Sequence, residues 1–187
     1  MSEGTHSNLT ACVAIAISLV ALILPFTPLP RFFYRTADIS IVDRSDNVKV
    51  EYDPKPRKLK LSFQITVLNS GGRDGKLTGE TARLTDMEEE SSLVPFDSSD
   101  IQLAAVNQPS VRAIVIDKGD TEKIVTCTLD YQVSDMGLSV LSKPSTKTLA
   151  VRLKGGSRPL LVRYHLEGWT PNLLDSKSAA QRTLYEK

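Results

Sequence analysis

From Lys58 to Asn69 apolar and polar residues alternate without a break. Leu59, Leu61, Phe63, Ile65 and Val67 fall on one side, and Lys60, Ser62, Gln64 and Thr66 on the other. A strand turns successive side chains to opposite faces, whereas a helix repeats every 3.6 residues or so, and this segment therefore reads as a strand with one buried face. Glu122 to Val133 repeats the pattern, with Val125, Cys127, Leu129, Tyr131 and Val133 inward against Thr126, Thr128, Asp130 and Gln132. Because a one-residue slip would expose a whole apolar row, Phe63, Ile65, Val125, Leu129 and Tyr131 are expected in one core.

Shorter candidate strands fill the intervals: Ala37 to Val42, Val48 to Tyr52, Leu77 to Leu84, Ile101 to Val106, Val111 to Ile116, Thr146 to Leu153 and Pro159 to Leu166. Turn chemistry separates them at Asp43-Arg44-Ser45-Asp46-Asn47, Asp53-Pro54-Lys55-Pro56, Asn69-Ser70-Gly71-Gly72, Asp117-Lys118-Gly119-Asp120 and Gly155-Gly156-Ser157. About nine short strands with no long amphipathic helix between them predict an all-β antiparallel sandwich over residues 36–169. Residues 170–187 form a polar tail, in which Ser176 to Lys187 is read as a short helix or a disordered end.

The N-terminal region obeys a different rule. Leu9 to Phe26 runs for about 18 residues without a charge, long enough to cross most of a bilayer core. A cleaved secretory signal needs a basic leading segment, and residues 1–8 contain no Lys or Arg. The run is accordingly read as a retained transmembrane helix, with a cleaved signal and a buried core helix as the alternatives. Residues 27–35 come next as a proline- and aromatic-rich linker. Arg31 and Arg35 flank its exit, and the positive-inside rule places the main domain on the cytoplasmic side.

Lys and Arg total 23 against 22 for Asp and Glu, so no global field draws the chain to nucleic acid. Cys12 and Cys127 cannot make a disulfide framework, since one lies in the apolar run and the other in a predicted strand. The 187-residue chain must be stabilised by packing.

Leu61-Ser62-Phe63-Gln64-Ile65-Thr66-Val67-Leu68-Asn69-Ser70-Gly71-Gly72, then Lys118-Gly119-Asp120, then a long alternating strand resembles the cell-adhesion-related Ig-like sandwiches of bacterial surface proteins over about residues 58–133. The resemblance implies an Ig-like fold and a binding or spacer role, and it points to no site. Its relatives lie mostly outside the cell, opposite to the charge rule.

Chemical constellations are sparse. His165 is the one histidine beyond the N-terminal segment and sits on a predicted strand, opposite in phase to Tyr164. No nucleophile elbow, phosphate loop, dinucleotide fingerprint or zinc-helix motif occurs, and no cofactor is implied. The connection Asp86 to Asp100 carries Glu88, Glu89, Glu90, Asp97 and Asp100, which offer oxygen ligands of the kind calcium takes, although a solvated charged loop accounts for them more simply. Ser134 to Ser145 is a second long loop. Lys55, Arg57, Lys58 and Lys60 read as an edge solvated by cations, with no interleaved aromatics for nucleic acid. Trp169 is expected to plug the end of the core.

These observations favour a membrane-anchored, non-enzymatic interaction or scaffold domain, held in the bilayer through residues 9–26 and engaging a protein partner. The alternatives are an accessory subunit of a larger membrane complex and a hydrolase with an unrecognised site.

Overall fold

The computed structural model describes residues 36–86, 93–119, 121–156, 158–167 and 180–185, together with Ser18 and Trp169. Apart from Ser18, the Leu9 to Phe26 run and the 27–35 linker lie outside these residues. Among the described residues no helix is long and apolar enough to cross a membrane.

Eleven strands and one short helix appear among the described residues: β1 Ile39–Arg44, β2 Asn47–Asp53, β3 Lys58–Asn69, β4 Gly75–Asp86, β5 Leu93–Phe96, β6 Ile101–Ala105, β7 Ala113–Ile116, β8 Lys123–Gln132, α1 Asp135–Leu141, β9 Lys147–Gly155, β10 Arg158–Leu166 and β11 Ala180–Tyr185. They form two antiparallel sheets. Sheet A has the order β11-β2-β3-β8-β6, with β1 also on β3, and sheet B the order β10-β9-β4-β5, with β7 also on β4. Each sheet is built on a 12-residue strand whose one edge carries two short strands end to end. On β3 these are β2, opposite Lys58 to Ser62, and β1, opposite Ile65 to Asn69. On β4 they are β7, opposite Gly75 to Thr78, and β5, opposite Ala82 to Thr85.

The gap between β1 and β2 is bridged by Ser45. Its amide donates to the Gln64 carbonyl at 2.8 Å and its hydroxyl accepts from the Gln64 amide at 3.1 Å, so the β3 ladder stays paired where the edge changes strand. A bulge at Val42 precedes it, since Ile41 faces Val67 and Asp43 already faces Thr66. One extra residue reverses the phase of the rest of the strand. Arg44 is thereby opposite the inward Ile65 and turns toward the interior at the edge of the body.

Apolar faces of both sheets meet in a single core. Phe63, Ile65, Val125 and Leu129 are buried in it, and Tyr131 packs against it half-buried, as the alternation requires. The sheets approach closely where β4 bulges: a Cβ on Gly79 would stand 2.5 Å from the Ile101 Cβ, so a side chain there would force them apart.

Three segments depart from the sequence reading. Leu93–Phe96, expected in a loop, is an edge strand on β4, where Pro95 lies opposite Arg83 and costs no central ladder bond. Asp135–Leu141, also expected in a loop, is a helical turn pinned by a 2.6 Å ion pair between Arg57 and Asp135. Residues 180–185, expected as helix or disordered tail, add as a strand to β2, because the unpaired edge of β2 supplies hydrogen bonds that a solvated tail lacks.

Candidate functional site: a basic sheet face with an edge groove

The expected acidic site is only partly visible. Asp100 accepts a 2.8 Å hydrogen bond from the Asp97 amide, and its own amide donates to the Asp97 carbonyl at 3.0 Å, so the pair closes the turn between β5 and β6. Glu88, Glu89 and Glu90 lie outside the described residues. Among the described residues no three His, Cys, Asp or Glu side chains are grouped as a metal ion requires.

A fully buried ion pair does appear, and the sequence reading passed over it. Lys147 Nζ lies 2.7 Å from Asp86 Oδ2, with side-chain exposures of 0% and 2%. Ser145 Oγ donates to the same carboxylate oxygen and accepts from Nζ, each at 2.7 Å. The signal was present: Asp86 is in phase with Ala82 and Leu84, and Lys147 with Leu149, Val151 and Leu153, all buried.

The surface that distinguishes the molecule is the outer face of sheet B. Lys76 and Arg83 on β4, Arg152 and Lys154 on β9 and Arg163 on β10 all lie exposed, on the side away from the core. Against them on this face stands Glu80, a bulge residue 2.9 Å from Arg152, while the other acidic residue of these three strands, Asp86, is buried. Register fixes the lattice: Arg83 and Arg163 both oppose Ala150, about 10 Å apart across the sheet, and Arg152 and Lys154 lie about 7 Å apart along their strand. The outer face of sheet A is different. Lys49, Lys58 and Lys60 meet Asp43, Glu51, Asp53 and Asp130 there, with ion pairs of 3.7 Å from Lys60 to Glu51 and 3.3 Å from Lys58 to Asp130. A chain of net charge +1 thus keeps one face balanced and makes the other cationic.

At the β10 edge this basic face opens into a groove of about 410 Å³, lined by Ile41, Arg44, Leu161, Val162, Arg163 and His165. Tyr164 lies fully buried beside it, with its ring centroid 5.0 Å from that of Phe63 and tilted by 56°. The Arg44 guanidinium, turned inward by the bulge, stands 5.0 Å over the same tyrosine ring. His165 projects outward and shares a 3.2 Å hydrogen bond between Nδ1 and the Thr148 hydroxyl. Leu161 is 56% exposed, a large apolar side chain next to cations. Among the described residues no acidic side chain lines the groove. Sequence reading treated His165 alone and missed its neighbours, because the basic residues come from three strands and form no run; their common outward phase was the available signal.

No family model and no curated protein matches the chain. Among solved structures, similar chains include a Bordetella pertussis protein described as ApaA, at 12% identity, covering 81% of this chain and 95% of that one with a TM-score of 0.33. A Northeast Structural Genomics Consortium target gives 16% identity, 76% and 93% coverage and a TM-score of 0.35. A family 123 glycoside hydrolase from Clostridium perfringens gives 12% identity and a TM-score of 0.34, covering 71% of this chain but 27% of the hydrolase. Similarity at this level carries no activity across.

Proposed function

We propose that the chain is a membrane-tethered, non-enzymatic interaction domain of Ig-like architecture, and that partners meet it on the outer face of sheet B. The observation that carries this reading is the segregation of charge. Cations are mutually repulsive and lower the stability of a surface that keeps them together, so a one-sided cluster on an otherwise neutral chain points to an anionic partner. The uncharged run from Leu9 to Phe26 supports the tether, and Arg31 and Arg35 support a cytoplasmic position for the domain. The two antiparallel sheets support the all-β part of this reading.

The test is co-purification of the full-length protein in mild detergent, followed by charge reversal of one face at a time. Arg83→Glu, Lys154→Glu and Arg163→Glu together should release the bound partner, whereas Lys49→Glu, Lys58→Glu and Lys60→Glu should not. Equal retention by both triple variants would remove the basic face from the interaction. Stoichiometric partners that carry membrane helices of their own would point to a subunit of a larger complex.

A further inference from the structure

We propose that the outer edge of β10 binds an extended acidic polypeptide by strand addition, with alternate carboxylates of the guest against Arg163 and His165. The proposal rests on the interaction reading above and names its site and its class of partner.

Among the described residues β10 is hydrogen-bonded as a strand to β9 alone, through an unbroken register from Arg158 to Leu166. The opposite edge of sheet B is divided between two four-residue strands, β5 and β7. Pro159 has no amide to donate, so the template runs from Leu160 to Leu166, still longer than either strand of the other edge, and main-chain pairing of this kind supplies affinity while alternate side chains supply selectivity.

The side chains beside that edge set the chemistry. Leu161, Arg163 and His165 repeat every second residue, about 7 Å apart, which is also the spacing of alternate residues in an extended guest. One face of the guest would meet these two nitrogen-bearing groups, and the other would point into the groove where Ile41 and Arg44 stand on the facing sheet. A basic guest would meet like charge at Arg163, and an acidic one opposite charge. A nucleic acid fits less well, because the aromatic ring at the groove, Tyr164, is buried and offers no stacking surface.

The experiment uses the full-length protein in mild detergent and a fluorescent peptide of about ten residues alternating Glu and Val. Its controls are a Lys/Val counterpart and the Glu/Val peptide N-methylated at alternate amides, which keeps the charges and removes the donors of one edge. Polarisation should show binding of the Glu/Val peptide, none of the Lys/Val peptide, and a loss of about tenfold or more on N-methylation or in Arg163→Glu/His165→Glu protein. Equal affinity for the N-methylated peptide would overturn strand addition and leave the basic face intact as an interaction surface. Absence of Glu/Val binding, with partner retention still sensitive to reversal of the sheet B charges, would overturn this inference alone. Binding of phosphatidylglycerol vesicles without peptide binding would assign the face to lipid and overturn it as well. Insensitivity of both assays to those charges would overturn both readings.

Discussion

Lys147 and Asp86 are the last Cα partners in the β9 and β4 ladder, and their side chains form a 2.7 Å ion pair shielded from water. Removing two charges from water costs several kcal/mol each, and their attraction offsets this only while both are present. Lys147→Met alone should therefore destabilise the protein by about 3–5 kcal/mol, because it takes the Lys147 counter-charge from a buried carboxylate. The double variant Lys147→Met/Asp86→Leu should recover most of that loss. Urea unfolding of the two variants checks this, and a double variant no more stable than the single would show that the pair contributes through something other than charge compensation.

Asn69 is a second buried polar residue with an accountable role. Its Oδ1 accepts from the Asp38 and Gly71 amides, both at 3.1 Å, and its Nδ2 donates to the Arg73 and Ile116 carbonyls at 2.8 and 3.0 Å. One amide thus joins the start of β1, the β3 to β4 turn and the end of β7. Asn69→Ala removes all four bonds, the one to Ile116 in the interior, and should cost about 2 kcal/mol. Asn69→Asp should be comparably damaging, since a carboxylate keeps the acceptors, loses both donors and faces two carbonyl oxygens. Near-wild-type thermal stability of Asn69→Asp would contradict this account.

Core and surface positions along β3 and β8 should separate sharply. Phe63→Ala is expected to cost about 3–5 kcal/mol and Leu129→Ala about 2–5 kcal/mol, while Gln64→Ala and Thr128→Ala should change stability by under about 0.5 kcal/mol. Chemical denaturation of the four variants provides the comparison. Similar losses on both sides would mean that the outer face of sheet A is covered in the assembled protein.

Cys127 lies fully buried between the sheets, and burial pushes its thiol up from 9.0 to about 12. The neutral thiol is a poor nucleophile, so in a Cys12→Ser background Cys127 should react with a disulfide reagent at pH 8 only as fast as the protein opens. Linkage adds a second expectation. Between pH 9 and about 12 the unfolded chain releases a proton that the folded chain keeps, so stability from this group is full below that window and falls as pH rises through it. The slope is at most about 1.4 kcal/mol per pH unit. Cys127→Ala should lack this component, which comparison of the two alkaline unfolding curves would reveal.

Much of the sheet framework is dictated by local alternation. β3 coincides with the Lys58 to Asn69 segment, and β8 with Glu122 to Val133 to within a residue at each end, because each long strand presents one face to the core and one to water. β5 escaped because four residues with an internal proline carry no periodic signal, and β11 because its polar sequence is held by the distant edge of β2. The seven residues of α1 are too few to establish a helical period. Two charges placed in the apolar phase, Asp86 and Lys147, could have been recognised as partners, but their separation by 61 positions hides the pairing until β4 and β9 are aligned. The basic face forms no charge run for a related reason, since it is assembled from alternate positions of strands whose order in the sheet is not their order in the chain.

Trp169 donates a 2.8 Å hydrogen bond from its indole Nε1 to the Leu141 carbonyl at the end of α1, and it is 2% exposed. It is also the only tryptophan in the chain. Intrinsic emission is therefore a single-site optical report on the seating of α1, usable in detergent or bilayer without an attached dye. A red shift that precedes loss of the far-ultraviolet strand signal would time the release of that helix ahead of the two sheets, and coincident changes would show that helix and sheets come apart as one cooperative unit.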